Sequence, residues 1–137
     1  MQTIYTLSAY ETTAAAFFQR LREMHTDLVL DIRLNNQSQL CGFTKEKDLA
    51  FFVPQLTGAK YQHDLTLAPT KELLDMYTKK IIGWDAYRDE YLTLLEARQG
   101  KAHYREQYAR FGCVCLLGTQ TKKRRSHSEA LYQVLQS

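Results

Sequence analysis

The chain has no phosphate-binding glycine loop. Its six glycines, Gly42, Gly58, Gly83, Gly100, Gly112 and Gly118, stand singly, whereas a backbone cradle for a di- or triphosphate needs them clustered. There is no Gly-x-Ser-x-Gly elbow to present a nucleophilic serine. Apolar runs such as Cys113–Leu117 are far too short to cross a bilayer. The opening MQTIYTLSAY has neither a basic n-region nor an apolar h-region, so no secretory leader is expected and no membrane partner. Cysteine is scarce: Cys41, Cys113 and Cys115 make an odd count without the spacing of a disulfide framework. Cys113 and Cys115 lie two apart in a strand-like segment, on one face, and bridging them would distort that strand. Reduced thiols in a cytoplasmic protein are the expectation. Nor do Cys113, Cys115 and His127 amount to a ligand set, since a Cys-x-Cys within an apolar strand plus one distant histidine lacks the pattern of a metal site. No metal and no cofactor are expected.

Charge of one sign is only mildly in excess. With 137 residues and a net charge of +3, the composition by itself calls for neither a nucleic-acid nor a membrane partner; a local patch would have to do so. The length suits a single domain, 1–137, able to bury its own core.

What is present alternates. Thr3–Ser8 (TIYTLS) reads as a first strand. The helix ETTAAAFFQRLREM follows, with Ala14, Phe17, Phe18, Leu21 and Met24 on one side. Leu28–Arg33 (LVLDIR) is short and apolar on both faces, as a buried parallel strand reads. After a polar loop, Thr44 is placed to cap a helix whose end Pro54 and Gly58 mark. Lys60–Asp64 is a brief strand. Thr70 caps the next helix, and WDAYRDEYLTLLEAR aligns Trp84, Tyr87, Tyr91, Leu94 and Leu95, with Gly100 interrupting before a further helical stretch. Cys113–Gly118 is a second uniformly apolar strand, and SEALYQVL closes the chain as a helix. The order β-α-β-α-β-α-α-(α)-β-α predicts an α/β fold: a small, mainly parallel sheet flanked by helices on both faces. The stripe of Trp84, Tyr87 and Tyr91 reads as core or subunit interface rather than ligand cage, and the Tyr-rich central helices are the part that would project beyond the sheet or serve self-association into a homo-oligomer.

In such sheets ligands bind outside the carboxyl ends of the strands. Those ends carry Ser8, Asp31, Arg33, Asn35, His63 and Thr119, and the last helix opens at Ser126 and His127. Ser126 and Glu129 have the S-x-x-E spacing of a capping box, and a helix N-terminus favours anions. The expected site takes a small anionic ligand: Arg33 and the helix N-terminus hold it, Asp31 orients Arg33, and His127 donates a hydrogen bond. The competing reading of Asp31, Arg33 and His63 is structural pairing. Lys122, Lys123, Arg124 and Arg125 precede the helix directly. They suggest a nucleic-acid phosphate contact as the alternative function, or else a solvated loop; the nearest aromatic by sequence is Tyr132.

The segments LVLDIRLNNQSQLCGFTKEKDL, YQHDLTLAPTKELLDMY, IGWDAYRDEYLTLL and CVCLLGTQTKKRRSHSEAL resemble the domain-of-unknown-function family 488. The likeness covers nearly the whole chain and implies a small intracellular α/β domain. The family's Asp-x-Arg at the end of the second strand falls on Asp31 and Arg33, and its third-strand histidine on His63. Its cysteine after the last strand falls on Gly118. Of its Cys-His-Arg only His127 remains, between Ser126 and Ser128. A cysteine at a helix N-terminus beside cations would be an activated thiolate, whereas a serine there is a capping residue and, unassisted, a poor nucleophile. The resemblance therefore implies a catalytically degenerate relative of an enzyme-like family.

Overall fold

The computed structural model describes residues 2–137. Strand β1 (Thr3–Ser8) leads through α1 (Ala14–Glu23) to β2 (Leu28–Asp31), and α2 (Glu46–Thr57) leads on to β3 (Lys60–His63). Helices α3 (Lys71–Thr78), α4 (Trp84–Ala97) and α5 (Gly100–Tyr108) precede β4 (Cys113–Gly118), and α6 (His127–Gln136) ends the chain. The four strands form one sheet in the order β1-β4-β2-β3, every pairing parallel. This is the small α/β fold that the alternation predicts.

Each face of the sheet has its own core because the central strands are apolar on both sides. Leu28, Leu30, Val114 and Leu116 pack with Tyr91, Leu95, Tyr104 and Leu131 of α4, α5 and α6. The alternate residues Val29, Cys115 and Leu117 pack with Phe17, Phe18 and Leu21 of α1 and with Leu49 and Val53 of α2. Tyr91, Tyr104 and Tyr108 of the Tyr-rich helices join the first of these cores. Tyr87, Tyr91, Tyr104 and Tyr108 are buried within the fold, and a tyrosine ring supplies the apolar area a small core needs. No helix among the described residues is long and apolar enough to cross a membrane.

The connections decide where the strand ends open. β1 and β2 are each followed by a helix on one face, α1 and α2, whereas β4, lying between them, is followed by α6 on the other. The chain thus parts to opposite faces at the carboxyl end of β4, the arrangement that makes a crevice in open α/β sheets. The register brings the strand ends level there: Ser8 pairs with Gly118, and Asp31 pairs with both Leu117 and His63.

Three local expectations are revised. β2 stops at Asp31 rather than Arg33, because the Asp31 carboxylate itself accepts the Arg33 backbone N–H at 3.2 Å and turns the chain out of the sheet. Helix α2 runs through Pro54 to Thr57 and ends only at Gly58, which takes the left-handed conformation (φ 75°). The bond that Pro54 cannot donate would have gone to the carbonyl of exposed Ala50, so water can replace it. Thr44 does not cap α2. Its hydroxyl donates to the Cys41 carbonyl at 2.6 Å, and Lys45 takes the N-cap position, its ammonium 4.0 Å from Asp48 Oδ2 rather than capping the helix. By contrast, Thr70 caps α3 as expected, accepting from Leu73 N.

Candidate functional site

Two polar clusters meet across the sheet end. On the α1/α2 side, Asp31 follows the parity of Val29 and carries its carboxylate into a buried clamp. Arg33 Nε donates to Asp31 Oδ1 and Nη2 to Oδ2, both at 2.8 Å. The Asp31 and Arg33 side chains are 0% and 1% exposed, respectively. Nη2 also reaches the Thr44 carbonyl at 2.6 Å. Tyr61 OH donates to Asp31 Oδ2 at 2.5 Å and Asn36 Nδ2 does so at 3.2 Å. Burial works to raise the Asp31 pKa, but the hydrogen bonds and charge of Arg33, with Tyr61 and Asn36, outweigh it and hold the carboxyl below its ordinary value. The guanidinium is shifted the opposite way: burial pulls it down, and the Asp31 hydrogen bonds and charge overcome that. One donor is left over. Arg33 Nη1 is buried with no hydrogen-bond partner among the described residues.

On the opposite side is the start of α6. The predicted capping box is present: Ser126 Oγ accepts from Ser128 N, and the Glu129 carboxylate accepts from Ser126 N at 3.0 Å. Ser126 Oγ also accepts from Thr119 N at 3.2 Å. Ser8 Oγ donates to the Gln120 carbonyl at 2.5 Å and accepts from Tyr10 N, tying the end of β1 to the segment after β4. Gly118 is a glycine for want of space: a Cβ there would lie 2.2 Å from Ser128 Oγ and 2.8 Å from Ser126 Oγ.

His127 joins the two clusters. Its Nε2 lies 2.6 Å from the Ile32 carbonyl, between the two members of the clamp. A carbonyl only accepts, so Nε2 is the protonated nitrogen. Burial pushes the imidazole pKa down to about 4, against smaller upward effects from the Ile32 carbonyl and Asp31. In the neutral ring the buried, unpartnered Nδ1 is an acceptor. The expectation that His127 donates to a ligand is corrected accordingly: its one donor is spent on the backbone.

His63, on the edge strand, has Nε2 2.7 Å from the Arg33 carbonyl and Nδ1 3.2 Å from Glu46 Oε2. The structure thus brings together Ser8, Asp31, Arg33, His63, Thr119, Ser126 and His127. Asn35 is the exception. It is exposed, and its neighbour Asn36 is the buried amide on Asp31. Sequence reasoning also missed Tyr61 and Ser128. Tyr61 carried a signal, since it pairs with Val29 two residues before Asp31 pairs with His63. Ser128 carried none, because its role depends on how closely α6 approaches β4.

Beyond the edge strand, Asp64 Oδ2 accepts from Tyr108 OH at 2.5 Å and lies 2.7 Å from His103 Nε2, fastening α5 to the sheet. The basic segment forms a tight turn closed by a Thr121–Arg124 bridge. Lys122, Lys123 and Arg125 are exposed and Arg124 is half-buried. Trp84 and Tyr77 lie beside this turn while Tyr132 packs against the core: the Arg125 guanidinium lies 4.6 Å over the indole, and the Tyr77 hydroxyl donates to the Arg125 carbonyl.

A buried Asp-x-Arg clamp at the second strand's end, with a serine-capped final helix opposite it, defines a parallel α/β domain built around a polar strand-end cluster. By sequence the chain matches the family model described as Domain of unknown function DUF488 over residues 13–135, and it belongs to that family. No curated protein and no solved structure matches it.

Proposed function

We propose that the chain binds a small anionic ligand at the carboxyl ends of its strands, among Ser8, Asp31, Arg33, His63, Thr119, Ser126 and His127, with Asn36 in the place expected for Asn35. The observation that carries this reading is Arg33 Nη1. A buried cationic donor without a partner costs more than the 1–3 kcal/mol or so of a neutral one, and an anionic oxygen is the group that relieves it. The parting of connections at β4 supports the same location. Asp31 is a positioning residue for Arg33, holding the guanidinium by two parallel bonds. Ser126 accepts from two backbone N–H groups, which fits a cap rather than an activated nucleophile. The reading is accordingly one of binding, in a catalytically degenerate relative of an enzyme-like family.

The test is thermal unfolding with phosphate, sulfate and acetate, for the native chain and Arg33→Lys. Lysine keeps the charge but loses the planar fork. Stabilisation by one small anion that survives moderate salt and is absent in Arg33→Lys is the expected result. Equal stabilisation of both proteins would remove Arg33 from the site and end this reading.

A second reading, nucleic-acid association through Lys122–Arg125, is favoured by one observation: the turn holds these cations beside an aromatic platform, Trp84. It predicts oligonucleotide affinity that falls steeply with salt and weakens when Lys122 and Lys123 are changed to Gln.

A further inference from the structure

Between the end of α3 and the basic turn lies an open cavity of about 750 Å³, within the range of small-molecule sites. Its walls combine two chemistries. Lys80 from the α3–α4 connection and Lys123, Arg124 and Arg125 from the turn supply four cations, and no carboxylate lines it among the described residues. Trp84 and Ile81 supply an apolar surface, with Ile81 66% exposed. Arg125 is held over the indole at 4.6 Å while its Nε contacts Glu129 at 3.1 Å. The Tyr77 hydroxyl donates to the Arg125 carbonyl at 2.9 Å, and its ring stacks on Tyr87 at 4.1 Å. The turn is therefore fixed to α3 and α4 rather than free in solvent. Two unspent features border the cavity. Trp84 Nε1 is buried without a partner among the described residues, and Gly83, the N-cap of the 14-residue α4, offers no side-chain oxygen to the first turn.

Converging cations beside an indole–guanidinium stack match a ligand with a phosphate at one end and a planar ring at the other. Resting on the second reading above, we propose that this cavity binds a nucleotide. Lys80, Lys123 and Arg124 would take the phosphate, and the base would lie on the Trp84–Arg125 stack, where aromatic and guanidinium planes accept any base. The shared chemistry is the phosphate-plus-base unit, whether a free mononucleotide or one residue of a single strand.

Trp84 is the only tryptophan in the chain, so its fluorescence reports the site directly. Emission is followed while the native chain, Lys80→Gln and Lys122→Gln/Lys123→Gln are titrated with AMP, UMP, inorganic phosphate, adenosine, a short single-stranded RNA and phosphatidylserine vesicles. Lys80 lies outside the basic run and is exposed, so its replacement leaves Lys122–Arg125 intact. The expected result is saturable quenching by a nucleotide or by the RNA, and only weak effects of phosphate or adenosine alone. Lys80→Gln should bind about tenfold more weakly, the loss of one charge-assisted contact. Quenching by mononucleotides identifies a free nucleotide as ligand, and quenching by RNA alone a strand. RNA binding that is lost in Lys122→Gln/Lys123→Gln, without any change in Trp84 emission or any effect of Lys80→Gln, would overturn the cavity proposal and leave the second reading standing. Absence of binding by every probe would overturn both. Quenching by anionic phosphatidylserine vesicles but by no nucleotide or RNA would assign the surface to a membrane and overturn the proposal as well.

Discussion

Gly118 and Ser128 share one space at the end of the central strand: a Cβ on Gly118 would sit 2.2 Å from Ser128 Oγ and 2.7 Å from Ser128 Cβ. The glycine is required by the approach of α6 to β4. Any larger residue at position 118 has the same Cβ and would meet the same atoms. Side chains on both partners cannot coexist without movement of the helix.

Gly118→Ala is expected to destabilise the protein by about 1–3 kcal/mol, the usual cost of overpacking. Ser128→Gly removes both of the closest atoms. In a urea-unfolding cycle the double variant Gly118→Ala/Ser128→Gly should be more stable than the sum of the singles predicts. Additive effects would mean that the helix moves away freely and the contact constrains nothing.

The Asp31–Arg33 clamp makes a different demand. Asp31→Ala leaves a guanidinium that is 1% exposed without its carboxylate, and about 3–5 kcal/mol should be lost. Replacing both with apolar residues, Asp31→Leu/Arg33→Met, should restore part of that loss, since the ion pair is then absent rather than broken. The Thr44 carbonyl, deprived of Nη2, limits the recovery. A loss below about 1 kcal/mol in Asp31→Ala is the range of solvent-screened surface pairs and would contradict the buried clamp.

Much of this was legible in the sequence, and the limits have physical causes. Strands that are apolar on both faces and helices with one apolar stripe announce a covered parallel sheet. The Ser126–Glu129 box is read from local spacing because its bonds are local. The pairing of Asp31 with Arg33 was also available, as residues two apart that share a face. Thr44 misled because a threonine before an apolar run fits a cap, yet its hydroxyl had a nearer carbonyl in Cys41. Asn35 and Asn36 cannot be separated by composition; only the turn out of β2 decides which amide faces inward. Contacts distant in sequence were invisible: Asp64 with Tyr108, Arg125 over Trp84, and Ser128 against Gly118 depend on how helices dock. One of these, the indole beside the basic turn, changes the functional reading of Lys122–Arg125.

Tyr108 is buried as a ring but polar at its tip, and its hydroxyl meets Asp64 at 2.5 Å. Asp64 is kept below its ordinary pKa although burial opposes this, because the Tyr108 and His103 hydrogen bonds favour the charged form. Tyr108→Phe keeps the ring and removes one bond to a charged acceptor, which should cost about 1.5–3 kcal/mol in urea unfolding at neutral pH. Amide exchange should rise first in α5, which that bond fastens to the end of β3. A neutral effect would show that His103 and the Thr66 N–H suffice for Asp64.

His127 sets the upper part of the acid response. Its pKa lies at about 4 when folded, against 6.5 in the ordinary case, so between these values the unfolded chain binds a proton that the folded chain does not. Stability therefore falls as pH drops from about 6.5 toward 4 and then stops falling on this account. The total is about 3 kcal/mol. Asp31 and Asp64 act lower. Their folded values lie beneath 3.8, so their contribution is fully present above that pH and is lost as pH falls through the depressed values. His127→Gln retains an amide donor for the Ile32 carbonyl but cannot titrate. Urea unfolding at pH 7, 5.5, 4.5, 3.5 and 3 should show the native chain losing stability down to about pH 4 and the variant losing markedly less, with the two curves parallel below pH 4. Equal losses above pH 4 would mean that the imidazole is protonated in place, and that its Nδ1 already has a partner.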